Sequence, residues 1–483
     1  MFSGAQLAIE YTPTLVFLVD QPEFVTVNGL TSTELRSVLA LAGIFASRMM
    51  GLFMIMPVIA LYGRHLTSYT PERVGLAIGI YGLVQACLQI PLGRLSDRIP
   101  RKPLIIAGML LFAFGAAVSA LSSSIWGVIL GRGIQGAGAI SAVAMALLAD
   151  LTREEHRTKA MAVVGMTIGL SFSVAFVVGP LLAGHGGLSL VFWATAAMAL
   201  LGALLCYVAV PQPQLSFHAN PGASLMSLRQ LAFHPQLLRL NVGVFFLHLV
   251  MASSWLLVPV MLRDHAHLPV AQHAWVYLPV MLTAFISVIP FIIIAEKHQH
   301  MKLMLALAAA TMSLGLISLA LFNASLSNIV IGLFLYFMAF NLLEALLPSL
   351  ISKITPVGTK GSAMGLFSTF QFLGPALGGW MGGYLLTEHV APNHILLIGA
   401  AMIAGWLIMI LSMRPPRHLT SMTLHFDGLN RAQILELSPA IAAITGVEES
   451  VILADEQMAF LKVDHHRLDQ PALDRIPARA VAV

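Results

Sequence analysis

Apolar runs of about bilayer length, each bounded by polar breaks, recur along most of this chain. They fall at 36–60, 73–93, 103–123, 125–149, 159–183 and 187–210, then at 239–262, 274–295, 302–322, 326–350, 362–386 and 392–413. A membrane-spanning helix needs about 20 mostly apolar residues, so the pattern predicts twelve crossings. The widest break, 211–238, separates the sixth run from the seventh and opens with Pro211, Pro213, Pro221 and Gly222. It continues as a short amphipathic stretch, 224–233, suited to a membrane surface. The expected organisation is therefore an extension at 1–34, a six-helix bundle at 35–210, a linker at 211–238 and a second six-helix bundle at 239–413. The extension lacks the basic start and unbroken apolar core of a secretory signal, since Asp20 and Glu23 interrupt it.

The pattern changes after about residue 417. Residues 419–426 alternate as a strand does, and 432–445 has helical spacing. Residues 450–454 and 458–463 read as a hairpin around Asp455 and Glu456, and 470–476 as a second helix. The order β-α-β-β-α predicts a small α+β, ferredoxin-like domain at 417–483. Composition agrees with this division. The whole chain is 58% hydrophobic and 10% charged, against about 25% charged in soluble domains. Yet 16 of the 70 residues from Arg414 onward are charged. A water-soluble enzyme and a disordered chain are both excluded for the body.

Charge placement sets the expected topology. With the N-terminus cytoplasmic, inside loops carry thirteen Lys or Arg residues, against three outside, Arg64, Arg73 and Arg263. The positive-inside rule then puts both termini in the cytoplasm. No basic block suggests a nucleic-acid partner. Cys87 and Cys206 lie in apolar runs, which argues against a disulfide framework. Adjacent His465 and His466 read as solvated loop residues, and no spacing suggests a metal centre or another cofactor.

Several polar positions stand out against this background. Gly93, Asp97, Arg98, Pro100, Arg101 and Lys102 form a compact motif after the second run. Its glycine suits close helix approach, and its carboxylate can pair with a guanidinium one turn on. Asp150, ending the fourth run, can complete an Asp97–Arg101–Asp150 cluster that latches helices in one conformation. Glu296, followed by basic residues after the eighth run, repeats the acid-then-base pattern and hints at internal duplication. Arg132 and Gln135 share a face in the glycine-rich stretch Gly131–Gly138. Arg48, His248, Asn341 and Glu344 also lie within apolar runs. An ionised group in hydrocarbon is costly and usually faces a cavity or a partner. Glu344 is thus the candidate proton carrier, with Arg48 or Arg132 as counter-charge, against the alternative of a static ion pair. Gly179–Pro180 and Gly374–Pro375 are candidate bends with a gating or packing role.

At these residues the chain resembles the major facilitator superfamily over 36–413, most closely its drug:proton antiporter-like members. Gly93–Lys102 is similar to the signature between helices two and three, with Pro100 where glycine is usual. Leu130–Gly136 is similar to the fourth-helix signature, and Ala175–Gly184 to the fifth-helix antiporter signature, with alanine for two glycines. The resemblance implies the fold of two pseudo-symmetric six-helix bundles, the Asp97–Arg101–Asp150 cluster, proton coupling and a bacterial inner-membrane location. The expected function is alternating-access export of small amphiphilic or apolar compounds against inward proton flow. Expected partners are that small molecule, protons and membrane lipid, with the protein a monomer or weak dimer. Proton symport, facilitated diffusion of a metabolite, or a membrane sensor with a regulatory tail are the alternatives. Ser/His/Asp groupings and phosphate loops are missing, so an enzyme is not expected.

Overall fold

The computed structural model describes residues 31–96, 98–211, 228–297, 299–355, 359–414, 420–426, 428–454, 457–464 and 467–482. Asp97, His465, His466, the extension to residue 30 and most of the predicted linker lie outside the described residues. The first crossing is α1 (Ser32–Phe53) followed by α2 (Met56–Tyr62). Pro57 has no N–H for the Phe53 carbonyl, and the helix breaks there. Next come α3 (Pro71–Ser96) and α4 (Arg101–Leu121). The run read as one helix at 125–149 is two, α5 (Ile125–Ala137) and α6 (Ser141–Asp150). The break falls where α4 comes close: a methyl group on Gly138 would lie 2.5 Å from the Gly108 carbonyl oxygen.

The fifth and sixth runs, expected as separate helices, join in α7 (Glu154–Ala209), bent where Gly187 takes φ +63°. Only glycine adopts that angle readily. The bend turns one long helix into two crossings. After α8 (Leu228–Phe233) come α9 (Pro235–Asp264), α10 (His273–Lys297), α11 (Met301–Leu321), α12 (Leu326–Ile354), α13 (Lys360–Thr387) and α14 (Pro392–Leu411). Ten described stretches are long and apolar enough to span a membrane by length and composition. Counting α7 twice and adding the glycine-rich α13 gives the twelve crossings that the hydropathy predicts.

The two halves repeat each other in detail. Lys102 at the start of α4 donates to the Tyr207 and Val210 carbonyls (2.9 and 2.6 Å), capping the end of α7. Lys302 at the start of α11 does the same for Leu411 and Met413 (2.8 and 2.7 Å) at the end of α14. Each ammonium sits at the negative end of a helix dipole and satisfies carbonyls that have no intrahelical donor. Gly115 packs on Gly131 between α4 and α5, and Gly315 faces Gly332 between α11 and α12.

The C-terminal unit is βαββαβ: β1 (Thr420–His425), α15 (Arg431–Ala442), β2 (Val447–Leu453), β3 (Met458–Val463), α16 (Gln470–Asp474) and β4 (Arg479–Ala482). The sheet order is β2-β3-β1-β4, all antiparallel. This is the expected ferredoxin-like arrangement, completed by β4, a four-residue strand too short to show an alternation. Met422, Leu424, Leu461 and Val463 pack beneath Ile434 and Ile441 of α15. By the two-residue period of a strand, Lys462 points to the other face, and there the sheet meets the membrane body. Lys462 is 3% exposed and donates to the Lys353 and Thr355 carbonyls (3.0 and 2.5 Å), which end α12. Lys462→Met should leave the ferredoxin-like core folded but undock it. Hydrogen–deuterium exchange should then rise in β1 and β3 and around Thr355, with the α15 amides unchanged.

Candidate functional site

Two arginines lie in the interior of the first bundle. Arg48 on α1 is 1% exposed and Arg132 on α5 is fully buried. Arg48 donates to Tyr81 Oη (2.8 Å) and Gln85 Oε1 (2.5 Å) of α3, and to Ser141 Oγ at the start of α6. Arg132 donates to Gln135 Oε1 (3.0 Å) and the Ala77 carbonyl (3.3 Å), with its guanidinium 4.9 Å from the Tyr81 ring centroid. Tyr81 thus accepts from one arginine with its hydroxyl and holds the other on its ring face, where the aromatic quadrupole attracts a cation. No described carboxylate forms an ion pair with either arginine. Their hydrogen-bond partners are neutral, and their charges are confined to this bundle.

The intramembrane carboxylate stands in the other bundle. Glu344 on α12 is 32% exposed. Its Oε1 lies 3.4 Å from His248 Nε2 on α9, and its Oε2 accepts from Gln371 Nε2 on α13 at 3.4 Å. Gln371 Nε2 is also 3.4 Å from His248 Nε2. His248 Nδ1 faces the Val244 carbonyl at 3.0 Å. A carbonyl only accepts, so Nδ1 carries a proton and Nε2 is the variable position. The expected counter-charge from Arg48 or Arg132 is therefore replaced by His248. Gln371 was not legible as a participant, because nothing in an apolar run distinguishes it from a packed amide. Asn341 sits one turn before Glu344 and makes no side-chain hydrogen bond among the described residues.

The candidate bends serve close approach. A methyl group on Gly374 would lie 2.5 Å from the Phe245 carbonyl oxygen and 2.8 Å from His248 Cβ. Glycine there lets α13 lie against α9 and brings Gln371 to His248. Pro375 has no N–H to offer the Gln371 carbonyl. Gly179 packs against the Met54 carbonyl, where α7 crosses the break between α1 and α2, and Pro180 follows it within a continuous helix.

Between the bundles lies a seam of rings. Phe53 of α1 meets Phe172 of α7 at 4.7 Å between centroids, and Phe172 stacks on Phe340 of α12 at 5.5 Å. Phe176 packs on Trp255 of α9 at 4.2 Å. Phe340 lies one turn from Glu344 and 5.9 Å from the His248 ring. The aromatic wall and the titratable pair are therefore neighbours.

The seam closes at one end and opens at the other. Gly75, Gly79 and Gly82 of α3 meet Gly379, Ala376 and Phe372 of α13 backbone to backbone; a methyl group on Gly379 would be 2.5 Å from the Gly75 carbonyl oxygen. Trp380 Nε1 donates to Glu72 Oε1 (3.3 Å), and the Glu72 N–H to Thr387 Oγ1 (3.1 Å), across the same joint. Gly361 and Gly365 continue this face of α13 by helical spacing, yet nothing lies within 4 Å of a methyl group placed there. On α7, Gly184 packs on Ala271 while Gly165 faces open space. The bundles are thus joined at the end of Gly63–Pro71 and splayed at the end of the basic 94–102 loop.

At the splayed end, Arg101 of α4 forms an ion pair with Asp150 of α6 and donates to the Ala146 carbonyl (3.2 Å). Asp97, the third member of the expected cluster, is outside the described residues. Arg98 is exposed and makes no side-chain hydrogen bond or ion pair among the described residues. Gly93 is not the close-approach point its motif suggested: a methyl group there would make an ordinary 4.0 Å contact with Ala142. In the second bundle Glu296 ends α10 and pairs with Lys353 of α12, accepting also from Ser349 Oγ at 2.7 Å. In each half an acid–base pair ties the splayed end of the fourth crossing to a neighbour, to α4 in the first half and to α10 in the second.

Comparison with known proteins decides the family. Residues 41–379 match the Major Facilitator Superfamily profile. The chain is 42% identical to the Inner membrane transport protein YajR of Escherichia coli K12 over 438 residues, 90% of this chain and 95% of that protein. The chain belongs to the major facilitator superfamily. Another relative in this superfamily comparison, the Multidrug resistance protein MdtH of Aeromonas salmonicida, is 28% identical across 70% of this chain and 83% of its own length. Among solved structures, a bacterial homologue of the human lysosomal transporter Spinster superposes with a TM-score of 0.62 at 16% identity, covering 79% of this chain and 96% of that one. The nucleoside transporter NupG gives 0.61 at 14% identity, covering 78% of this chain and 99% of that one. As a superfamily member the chain is a multi-pass membrane transporter.

Proposed function

We propose that this transporter exports small amphiphilic or apolar compounds across a bacterial inner membrane in exchange for inward-moving protons, with both termini in the cytoplasm. The observation that carries the reading is the partly exposed Glu344 beside His248 and Gln371, next to the aromatic seam where the bundles meet. An ionised carboxylate there is costly unless protonated or paired. A state that exposes Glu344 to water and one that encloses it therefore differ in proton affinity, and that difference is what couples protons to the conformational change. The rings supply apolar, shape-tolerant surface for a substrate. The drug-resistance names of relatives such as MdtH support export as the direction. Arg48 and Arg132 then belong to the pathway as a fixed positive field, with Gln135 as the neutral acceptor that orients Arg132. Arg101–Asp150 and Glu296–Lys353 act as conformational ion pairs.

The docked C-terminal domain favours a regulatory role for that unit alongside transport, because Lys462 is tied to the helix that carries Glu344. The test is reconstitution in liposomes with an imposed pH gradient and a panel of dyes: ethidium, rhodamine 6G and N-phenyl-1-naphthylamine. Export coupled to protons predicts dye accumulation in the compartment of lower pH, with proton movement in the opposite sense. Accumulation with the proton gradient indicates symport, and equilibration without accumulation indicates a facilitator.

A further inference from the structure

A cavity lies well away from Glu344, at the end where the bundles are joined. It holds about 420 Å³, within the range of small-molecule sites. Along α9 it begins two turns beyond His248 and reaches Asp264, which lies about 24 Å from His248 by helical rise. Its wall is apolar, with Val74, Leu256, Val260, Met261 and Leu386 among the lining residues, and its rim carries Arg64, Asp264 and His265.

We propose that this cavity binds an amphiphilic organic anion, and that its occupant holds the two bundles together at this end. The charge assignment follows from pairing. Asp264 accepts two bonds from Arg263 (2.6 and 2.9 Å), so its charge is already compensated. Arg64 makes no hydrogen bond or ion pair among the described residues, but it stands near enough to Asp264 to act on its charge, so two guanidinium groups face one carboxylate. The exposed imidazole of His265 stands at the same rim. The surplus at the mouth is therefore positive, and guanidinium recognises carboxylate or sulfonate with charge-assisted bonds. The apolar wall takes the body of the molecule.

State selectivity follows from the lining. Arg64 and Val74 belong to the first bundle, whereas Leu256, Val260 and Met261 belong to the second. Parting the bundles here dismantles the cavity, so a ligand binds this conformation alone and shifts the population toward it. The site thus takes an inhibitor of the transport cycle that arrives from the joined end. A transported molecule at Glu344 lies on the other side of the aromatic seam.

The test uses 8-anilinonaphthalene-1-sulfonate as the anion and N-phenyl-1-naphthylamine as its uncharged counterpart. Fluorescence is read on full-length protein in lipid nanodiscs, against empty nanodiscs. A saturable component near one sulfonate per protein is expected. Arg64→Ala should weaken it by about 10- to 100-fold, the loss of one charge-assisted contact, and leave the amine unchanged. Val260→Trp should fill the cavity and abolish sulfonate binding, with the melting temperature confirming that both variants are folded. Gly379→Leu, which parts the bundles at this end, should also abolish it. Unchanged sulfonate affinity in both Arg64→Ala and Val260→Trp would overturn the site. Equal affinity for the amine and the sulfonate would overturn its preference for anions.

Discussion

Replacing Gly379 with leucine is expected to force the two bundles apart at their joined end. A methyl group alone at this position would lie 2.5 Å from the Gly75 carbonyl oxygen, and backbone cannot yield as a flexible side chain does. Overpacking of a tight contact costs about 1–3 kcal/mol, which changes the ratio of the two conformations by about 5- to 150-fold. Gly365→Leu should act in the opposite sense. It meets open space in this state, but it lies on the face of α13 that must approach α3 when the splayed end closes. Spin labels at Ser123 and His394, in a background without Cys87 and Cys206, should report a longer distance for Gly379→Leu and no lengthening for Gly365→Leu. Both variants should transport far more slowly than the parent, because each disfavours one half of the cycle. Full transport by Gly379→Leu would mean that the cycle does not require the α3–α13 joint to close.

The second large effect is expected at Glu344. If one proton moves per substrate through this carboxylate, a gradient of one pH unit, about 1.4 kcal/mol, supports roughly tenfold accumulation. Glu344→Gln should reduce that to none while preserving downhill exchange of the dye that the liposome assay identifies. The amide cannot take up a proton, yet it keeps the size of the side chain and a partner for Gln371. A readout independent of transport is the infrared band of a protonated carboxylic acid. A titrating band should be present in the parent and absent in the variant. Undiminished pH-driven accumulation by Glu344→Gln would remove the residue from the coupling mechanism and leave it as a static partner of His248.

Much of the architecture was open to reading in one dimension. Twelve crossings follow from run length, because lipid demands that each backbone amide be satisfied within its own segment. The duplication was visible only faintly, in Asp97 and Glu296. Its stronger marks, Lys102 and Lys302 each capping a distant helix end, are ordinary loop lysines until the termini they reach are known. The tail was read strand by strand except for β4, which at four residues pairs with β1 through backbone bonds that no side-chain pattern announces.

The site divides in the same way. Arg48, Arg132, His248 and Glu344 were conspicuous because charge in an apolar run is expensive. Which of them meet was not conspicuous. The sequence joined Glu344 to an arginine. The fold instead placed both arginines in one bundle with Tyr81, Gln85, Ser141 and Gln135, and paired Glu344 with His248 and Gln371 in the other. Partner choice depends on how helices far apart in sequence cross, and the crossing is set by small residues such as Gly374 rather than by the charged ones.

What the sequence by itself determined was the number of crossings, the two-part body, the soluble tail and the polar groups that membrane burial makes noteworthy. These rest on local hydrophobic period and on the cost of charge in lipid, both properties of a residue and its near neighbours. What only the tertiary structure decided was the partner of Glu344, the joined and splayed ends of the seam, and the anchoring of the tail to α12. Those are set by backbone-to-backbone approach between distant segments, which glycine permits but no run of residues encodes.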